Sequence, residues 1–385
     1  MTEKPLQPIR VFHLLPGGGA HELPALPDAP PAQGFYWIAC TRAAFGAGLA
    51  RLQATLQMLT GQQLVDLHVS DLLNAQLPSR YDYTAQYDLL VLRRLAQAQA
   101  GAAAPLPGTT ARGGPPVLRR IDTSPVGFAV FDQVLLSVHP EDCSVRDAYA
   151  ARLAAATPPA PSETAARDPR SGAVAGARSP ASSADLMLRV ANLIVDQYLE
   201  LRRELSRQLD HWQAELLRPR TRFSNWGALL DARLNLHQLD EICEDQRSAL
   251  QAWLDALEGW ALPDSPAALR ELDLLKVRSR DVLEHIERVV HHVRRLEHSI
   301  ETAVQIHFSV QSNRTNDIMR TLTALTAVFL PLNLIAGIFG MNFDFIPLIH
   351  QQDGFWWAMG SMGAISIALV ALFWRKRYLA RTGQD

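Results

Sequence analysis

Residues 321–339, TLTALTAVFLPLNLIAGIF, contain no charged side chain, and neither do residues 354–374, GFWWAMGSMGAISIALVALFW. Drawn as helices, these runs reach roughly 28 and 31 Å, about the hydrocarbon thickness of a bilayer. A helix of that length buried in a soluble core is the competing reading. Two in succession, joined by about 14 residues, instead predict a helical membrane hairpin. Arg314 and Arg320 precede the first run, and Arg375, Lys376, Arg377 and Arg381 follow the second. The connecting loop, 340–353, has no Lys or Arg but holds Asp344 and Asp353. The excess of positive charge on one side places both termini in the cytoplasm and the loop outside. Trp356, Trp357 and Trp374 lie at the ends of the second run, where aromatic belts form.

The rest of the chain is soluble in character. Over the full chain 37 Lys and Arg balance 39 Asp and Glu to a net charge of −2, so no nucleic-acid footprint is expected. Cys40, Cys143 and Cys243 are too scattered for a ligand set or a disulfide framework, which suits a reducing compartment. The opening MTEKPLQPIR has no apolar core of a cleavable signal peptide.

Within residues 1–156, GFYWIAC and YDLLVLRRL read as strands, GFAVFDQVLLSVH as a strand or hairpin, and AAFGAGLARLQATLQML as helix. The expectation is a small α+β domain with a modest sheet. AQAQAGAAAPLPGTTARGGPP reads as a loose loop, and the glycine-rich PGGGAHEL as a flexible loop rather than a phosphate cradle. Residues 157–184, rich in Ala, Pro and Ser, cannot bury a core and read as a linker or insert. Residues 185–320 then turn helical, over Asp185–Leu217, Trp226–Leu262 and a third helix with Ser265 as N-cap and Pro266 in its first turn. No Gly or Pro interrupts this third helix until Pro331. Unbroken from Ala267 to Phe339 it has about 73 residues and a length of roughly 110 Å, a rod that transmits force or serves as a stalk.

One hairpin cannot enclose a water-filled path, so conduction requires several copies around an axis. Asn316, Met319, Thr323, Leu330, Asn333 and Gly340 recur at near-helical offsets and form a stripe tolerable in a pore. An amide at mid-bilayer, Asn333, needs either a neighbouring helix or a cavity. Gly340 suits a helix end and frees carbonyl oxygens at the outer lip, and Asn342 adds a neutral amide oxygen. Repeated around an axis with Met341 between them, these give strong dipoles without formal charge. Such a ring grips a hydrated Mg2+ without stripping water that the ion sheds reluctantly. Asp344 just outside raises the local cation concentration, while Met319 and Leu330 are candidate dewetting constrictions.

The stretch SNRTNDIMRTLTALTAVFLPLNLIAGIFGMNF, with two C-terminal spans and the basic tail RKRYLART at 375–382, closely resembles the signature of the CorA family of divalent-cation channels. A weaker similarity extends over most of the chain, including VSDLLNAQLPSRYDYTAQYDLLVLRRL. The resemblance implies a homopentameric funnel in a bacterial-type inner membrane. The long helix would line its pore, and Mg2+, with Co2+ and Ni2+, would enter down the membrane potential. It implies that Gly340, Met341 and Asn342 are the filter, with Asn342 making first contact, and that Asn316 and Met319 line the cytoplasmic end. Asn333 stands where many relatives have threonine. Asp71 and Asp281 match the acidic pair that holds regulatory Mg2+ between neighbouring subunits and favours the closed state; apart from the resemblance, each reads as a solvated surface acid. No cofactor is implied beyond Mg2+ as transported and regulatory ion. Leu348 replaces an acid common in the family's loop, with His350 following, so the outer mouth is less negative than usual.

A zinc transporter similar to ZntB shares this architecture, and the stalk carries His285, His291, His292, His298 and His307. None pairs with another at i,i+3 or i,i+4, although Asp281 and His285 are so spaced. A membrane-anchored helical scaffold is the alternative of another class, and it would need neither Asn333 nor the polar triplet. Enzyme chemistry finds no support: there is no nucleophile elbow, HExxH helix or Walker loop.

Overall fold

The seven residues Phe35–Thr41 are all buried, the mark of a strand covered on both faces. In the computed structural model, which describes residues 8–16, 19–96, 121–156, 179–216, 226–260, 265–341 and 353–375, they form β3 of a seven-stranded sheet. The other strands are β1 (Ile9–Leu15), β2 (Gly19–Leu23), β4 (Arg80–Tyr83), β5 (Asp88–Leu95), β6 (Thr123–Val130) and β7 (Val134–His139). Their order is β2-β1-β3-β7-β6-β5-β4. Only β3 and β7 pair in parallel; the remaining neighbours are antiparallel, including the β6–β7 hairpin expected from GFAVFDQVLLSVH. The sheet is wider than the modest one expected, because the short edge strands β2 and β4 carry little apolar alternation. GAHEL, read as part of a loop, is strand β2, paired with β1.

Helices α1 (Arg42–Ala47), α2 (Leu49–Thr60) and α3 (Asp66–Leu73) follow β3. Phe45, Leu52, Leu56 and Leu72 join Ile38, Val91, Leu136 and Val138 in one buried cluster. The α3 helix lies close to the sheet because residue 127 is glycine. A Cβ there would stand 2.2 Å from Leu72 Cδ2.

Helices α4 (Ser144–Ala156), α5 (Ser183–Leu216) and α6 (Trp226–Glu258) approach other sheet residues. Tyr149 meets Trp37 edge-on at 5.9 Å. The carbonyl of Arg93 accepts from both Tyr198 Oη at 2.7 Å and Gln246 Nε2 at 2.6 Å, fastening α5 and α6 to β5. Helix α5 begins at Ser183, two residues ahead of the expected start, because Ser183 Oγ donates to the Phe131 carbonyl and is 2% exposed. Helix α6 stops at Glu258, earlier than the expected Leu262.

Helix α7 runs from Pro266 to Phe339 without interruption, one residue longer than expected, and α8 spans Asp353–Arg375. Ser265 Oγ accepts the Ala268 N–H at 3.1 Å, as its reading as an N-cap requires. Trp253 is fully buried and donates to Ser279 Oγ at 3.0 Å, tying α6 to the first turns of α7. Contacts divide the chain into two units, Met1–Glu215 with Arg220–Ile300, and Leu216–Pro219 with Glu301–Asp385. The three cysteines are buried free thiols. The loose loop read at 96–116 lies outside the described residues from 97 onward, as do 157–178 of the linker and 376–385 of the basic tail.

Candidate functional site

Asn316, Met319, Thr323, Leu330 and Asn333 are all exposed along the second half of α7, as is Gly340 immediately past its end. At about 100° per residue they fall within an arc of roughly 120° on one side of the helix. Thr323 Oγ1 donates to the Met319 carbonyl at 2.7 Å, which satisfies its proton within the helix and leaves its oxygen lone pairs outward. Pro331 lies inside the helix and has no N–H, so the Ala327 carbonyl loses its usual intrahelical donor at mid-span. The sequence shows that proline plainly, yet the freed carbonyl was not among the residues singled out.

The rest of this segment is apolar and equally uncovered. In the chain by itself, 6% of the most apolar stretch of α7 is buried and none of that of α8. Leu330 is 69% exposed and Trp356 is 72% exposed. A soluble core helix would be mostly buried; these two helices present apolar surface that only lipid or further protein can cover.

Helix α7 ends at Phe339. The Gly340 N–H donates to the Ala336 carbonyl at 2.9 Å, and that of Met341 to Ile338 at 3.2 Å. Gly340 does this without the left-handed backbone common at helix ends. A Cβ there would lie 3.1 Å from the Ala336 oxygen, a tight approach that a side chain meets only if this carbonyl gives by a few tenths of an ångström. Asn342, the expected first-contact residue, and Asp344 lie outside the described residues, together with Leu348 and His350.

Asp71 and Asp281 have unlike surroundings. Asp71, on α3, is buried, contrary to its reading as a solvated surface acid. Arg80 Nη1 stands 3.2 Å from its Oδ2, an ion pair by distance rather than a directed hydrogen bond. Arg80 also donates to Asp82 Oδ2 at 2.8 Å, and His68 Nε2 is 3.4 Å from the same oxygen. Burial would raise the Asp82 carboxyl, but the Tyr83 N–H, His68 and Arg80 outweigh it and hold it below the usual carboxylate range. Asp281, on α7, is exposed, with His285 Nε2 3.8 Å from its Oδ1. Among the described residues no three or more His, Cys, Asp or Glu side chains converge as a metal site. The sequence singled out Asp71 but not its partner Arg80; nothing in the spacing of PSRYDY signals that contact, which the β4–α3 packing creates.

Comparison with known proteins completes the description. The family model for the CorA-like Mg2+ transporter protein matches residues 32–377. The chain is 26% identical over 195 residues to the cobalt/magnesium transport protein CorA of Thermotoga maritima, covering 50% of this chain and 52% of that one. It is 31% identical over 102 residues to the magnesium transport protein CorA of Haemophilus influenzae, covering 26% and 32%. The chain thus spans about half the length, or less, of these curated relatives. The solved structure of the complete CorA magnesium transporter from Methanocaldococcus jannaschii superposes with a TM-score of 0.67 at 16% identity, over 98% of each chain.

Proposed function

The chain belongs to the CorA-like Mg2+ transporter protein family, and from that premise we propose that it is a channel for divalent metal cations, admitting Mg2+ and also Co2+ and Ni2+. The observation that carries this reading is the stripe on α7. A helix long and apolar enough to cross a bilayer keeps Asn316, Thr323 and Asn333 on one uncovered side, spaced with Met319 and Leu330, and Gly340 follows its end. Lipid is a poor partner for the Asn333 amide, and a wet axis shared by several copies is a good one.

In this reading five copies surround the axis in a bacterial-type inner membrane, with both termini cytoplasmic. Gly340, Met341 and Asn342 form the outer filter, where neutral oxygens hold the ion through its water shell. Asp344 draws cations to the mouth. Met319 and Leu330 close the path by excluding water when the copies draw together. Cytoplasmic Mg2+ bridges Asp71 and Asp281 of neighbouring copies and favours that closed arrangement. To reach Asp71 the ion displaces Arg80, so the carboxylate exchanges one cation for another.

Flux into proteoliposomes held inside-negative tests the proposal. Mg2+ should enter, hexaamminecobalt should block it as a mimic of the hydrated ion, and Asn342→Ala should abolish entry without dispersing the assembly. Proton-coupled Zn2+ uptake with no Mg2+ entry would transfer the assignment to the ZntB-like reading. Flux indifferent to Asn342→Ala would remove that residue from the filter, and no cation flux at all would leave the hairpin as an anchor.

A further inference from the structure

A cleft of about 220 Å3 opens where α4, α5 and α7 meet, within the first unit. Each helix contributes polar side chains three residues apart, and therefore from one face. These are Tyr149 and Arg152 on α4, Arg189 and Asn192 on α5, and Arg278 and Asp281 on α7. Three guanidinium groups thus line the cleft beside a single carboxylate, Asp281.

A second carboxylate, Asp185, sits behind this lining and serves two of the arginines at once. Arg189 Nη2 donates to Asp185 Oδ2 at 3.1 Å, and Arg278 Nε lies 3.0 Å from Asp185 Oδ1 without a directed hydrogen bond. Asp185 Oδ2 also accepts the Ala181 N–H at 3.0 Å. One buried negative charge is therefore shared between two positive ones. Arg152 is exposed and makes no ion pair among the described residues. Counting Asp281 and Asp185 against the three arginines leaves a positive surplus, in a recess whose donors form planar forks suited to oxyanions.

We propose that this cleft binds a phosphate-class oxyanion through Arg152, Arg189 and Arg278. Its position gives a consequence, which rests on the reading of Asp281 as a regulatory cation residue. An anion held beside Asp281 adds negative charge where the divalent cation docks, so each ligand should tighten the other reciprocally.

Isothermal titration of the detergent-solubilised full chain tests this in metal-free buffer, at ionic strength fixed with chloride. Inorganic phosphate, pyrophosphate and a nucleoside triphosphate are titrated in separate arms. Saturable phosphate binding, weakened about tenfold or more in Arg152→Gln, is expected. Tighter binding of pyrophosphate would identify a polyphosphate chain as the ligand, and equal binding a single phosphoryl group. Arg152 is exposed, so its substitution leaves the packing intact; Arg278→Gln provides a second variant. Absence of binding above the chloride control, or binding undiminished in both variants, overturns the site. Repeating the titration with Mg2+ should tighten phosphate severalfold in the wild type and not in Asp281→Asn. Failure of that arm alone removes the coupling and leaves the anion site standing. Since no flux is read, the channel assignment can fail independently.

Discussion

At Asp71, 9% of the residue remains exposed and Arg80 stands 3.2 Å away, whereas Asp281 reaches freely into solvent. If Mg2+ must displace Arg80, then Arg80→Gln should enlarge the increase in Tm caused by Mg2+, while lowering Tm without the ion because Asp71 is left buried and unpaired. An unchanged Mg2+ increment would remove Asp71 from the regulatory site. His139 illustrates a buried group without an opposite charge. Its imidazole is enclosed, with Nε2 2.9 Å from Ser137 Oγ. Burial first, and then Arg146, Arg94 and Arg42, pull its pKa down to about 3. The unfolded chain titrates near 6.5. The stability this group contributes is therefore full above about pH 6.5, and is lost as the pH falls toward 3 because the unfolded chain binds a proton that the fold excludes. About 2 kcal/mol should disappear between pH 7.5 and 5. Urea unfolding followed by near-UV circular dichroism should show a shallower pH slope in His139→Asn; equal slopes would refute this assignment.

Among the elements, α7 was legible almost to the residue, because 64 positions from Ala267 to Leu330 contain neither Gly nor Pro and Ser265 offers a cap oxygen. Strand β3 and the β6–β7 hairpin were legible too, through their apolar runs. The edge strands β2 and β4 were not, since a strand such as RYDY has no alternation and exists only through its pairing with β5. The seating of α3, which fixes Asp71, depends on a contact distant in sequence. Gly127→Ala should drive a methyl group into Leu72 and cost about 1–3 kcal/mol, partly recovered by adding Leu72→Ala. Full additivity of the two substitutions would show that the helix does not rest on this glycine.

For the molecule as a whole, the proposed channel needs further copies around the uncovered α7 stripe. Met319 and its counterparts should then face a common axis, so Met319→Cys, in a chain whose own thiols are buried, should form intermolecular disulfides in membranes under mild oxidation. Thr321→Cys and Leu325→Cys, exposed positions about 160° and 120° from Met319 around the helix and outside the stripe, should cross-link less. Equal cross-linking at all three positions would argue against a single lining face. The sequence by itself determined the two long apolar helices and the uninterrupted run of α7, because each is written in contiguous residues through apolar length or helical propensity. Only the tertiary structure decided that Asp71 is held by Arg80, that two arginines share Asp185, and that three helices enclose a cationic cleft. Those facts depend on side chains brought together from distant positions, where packing sets the distances and electrostatics follows them.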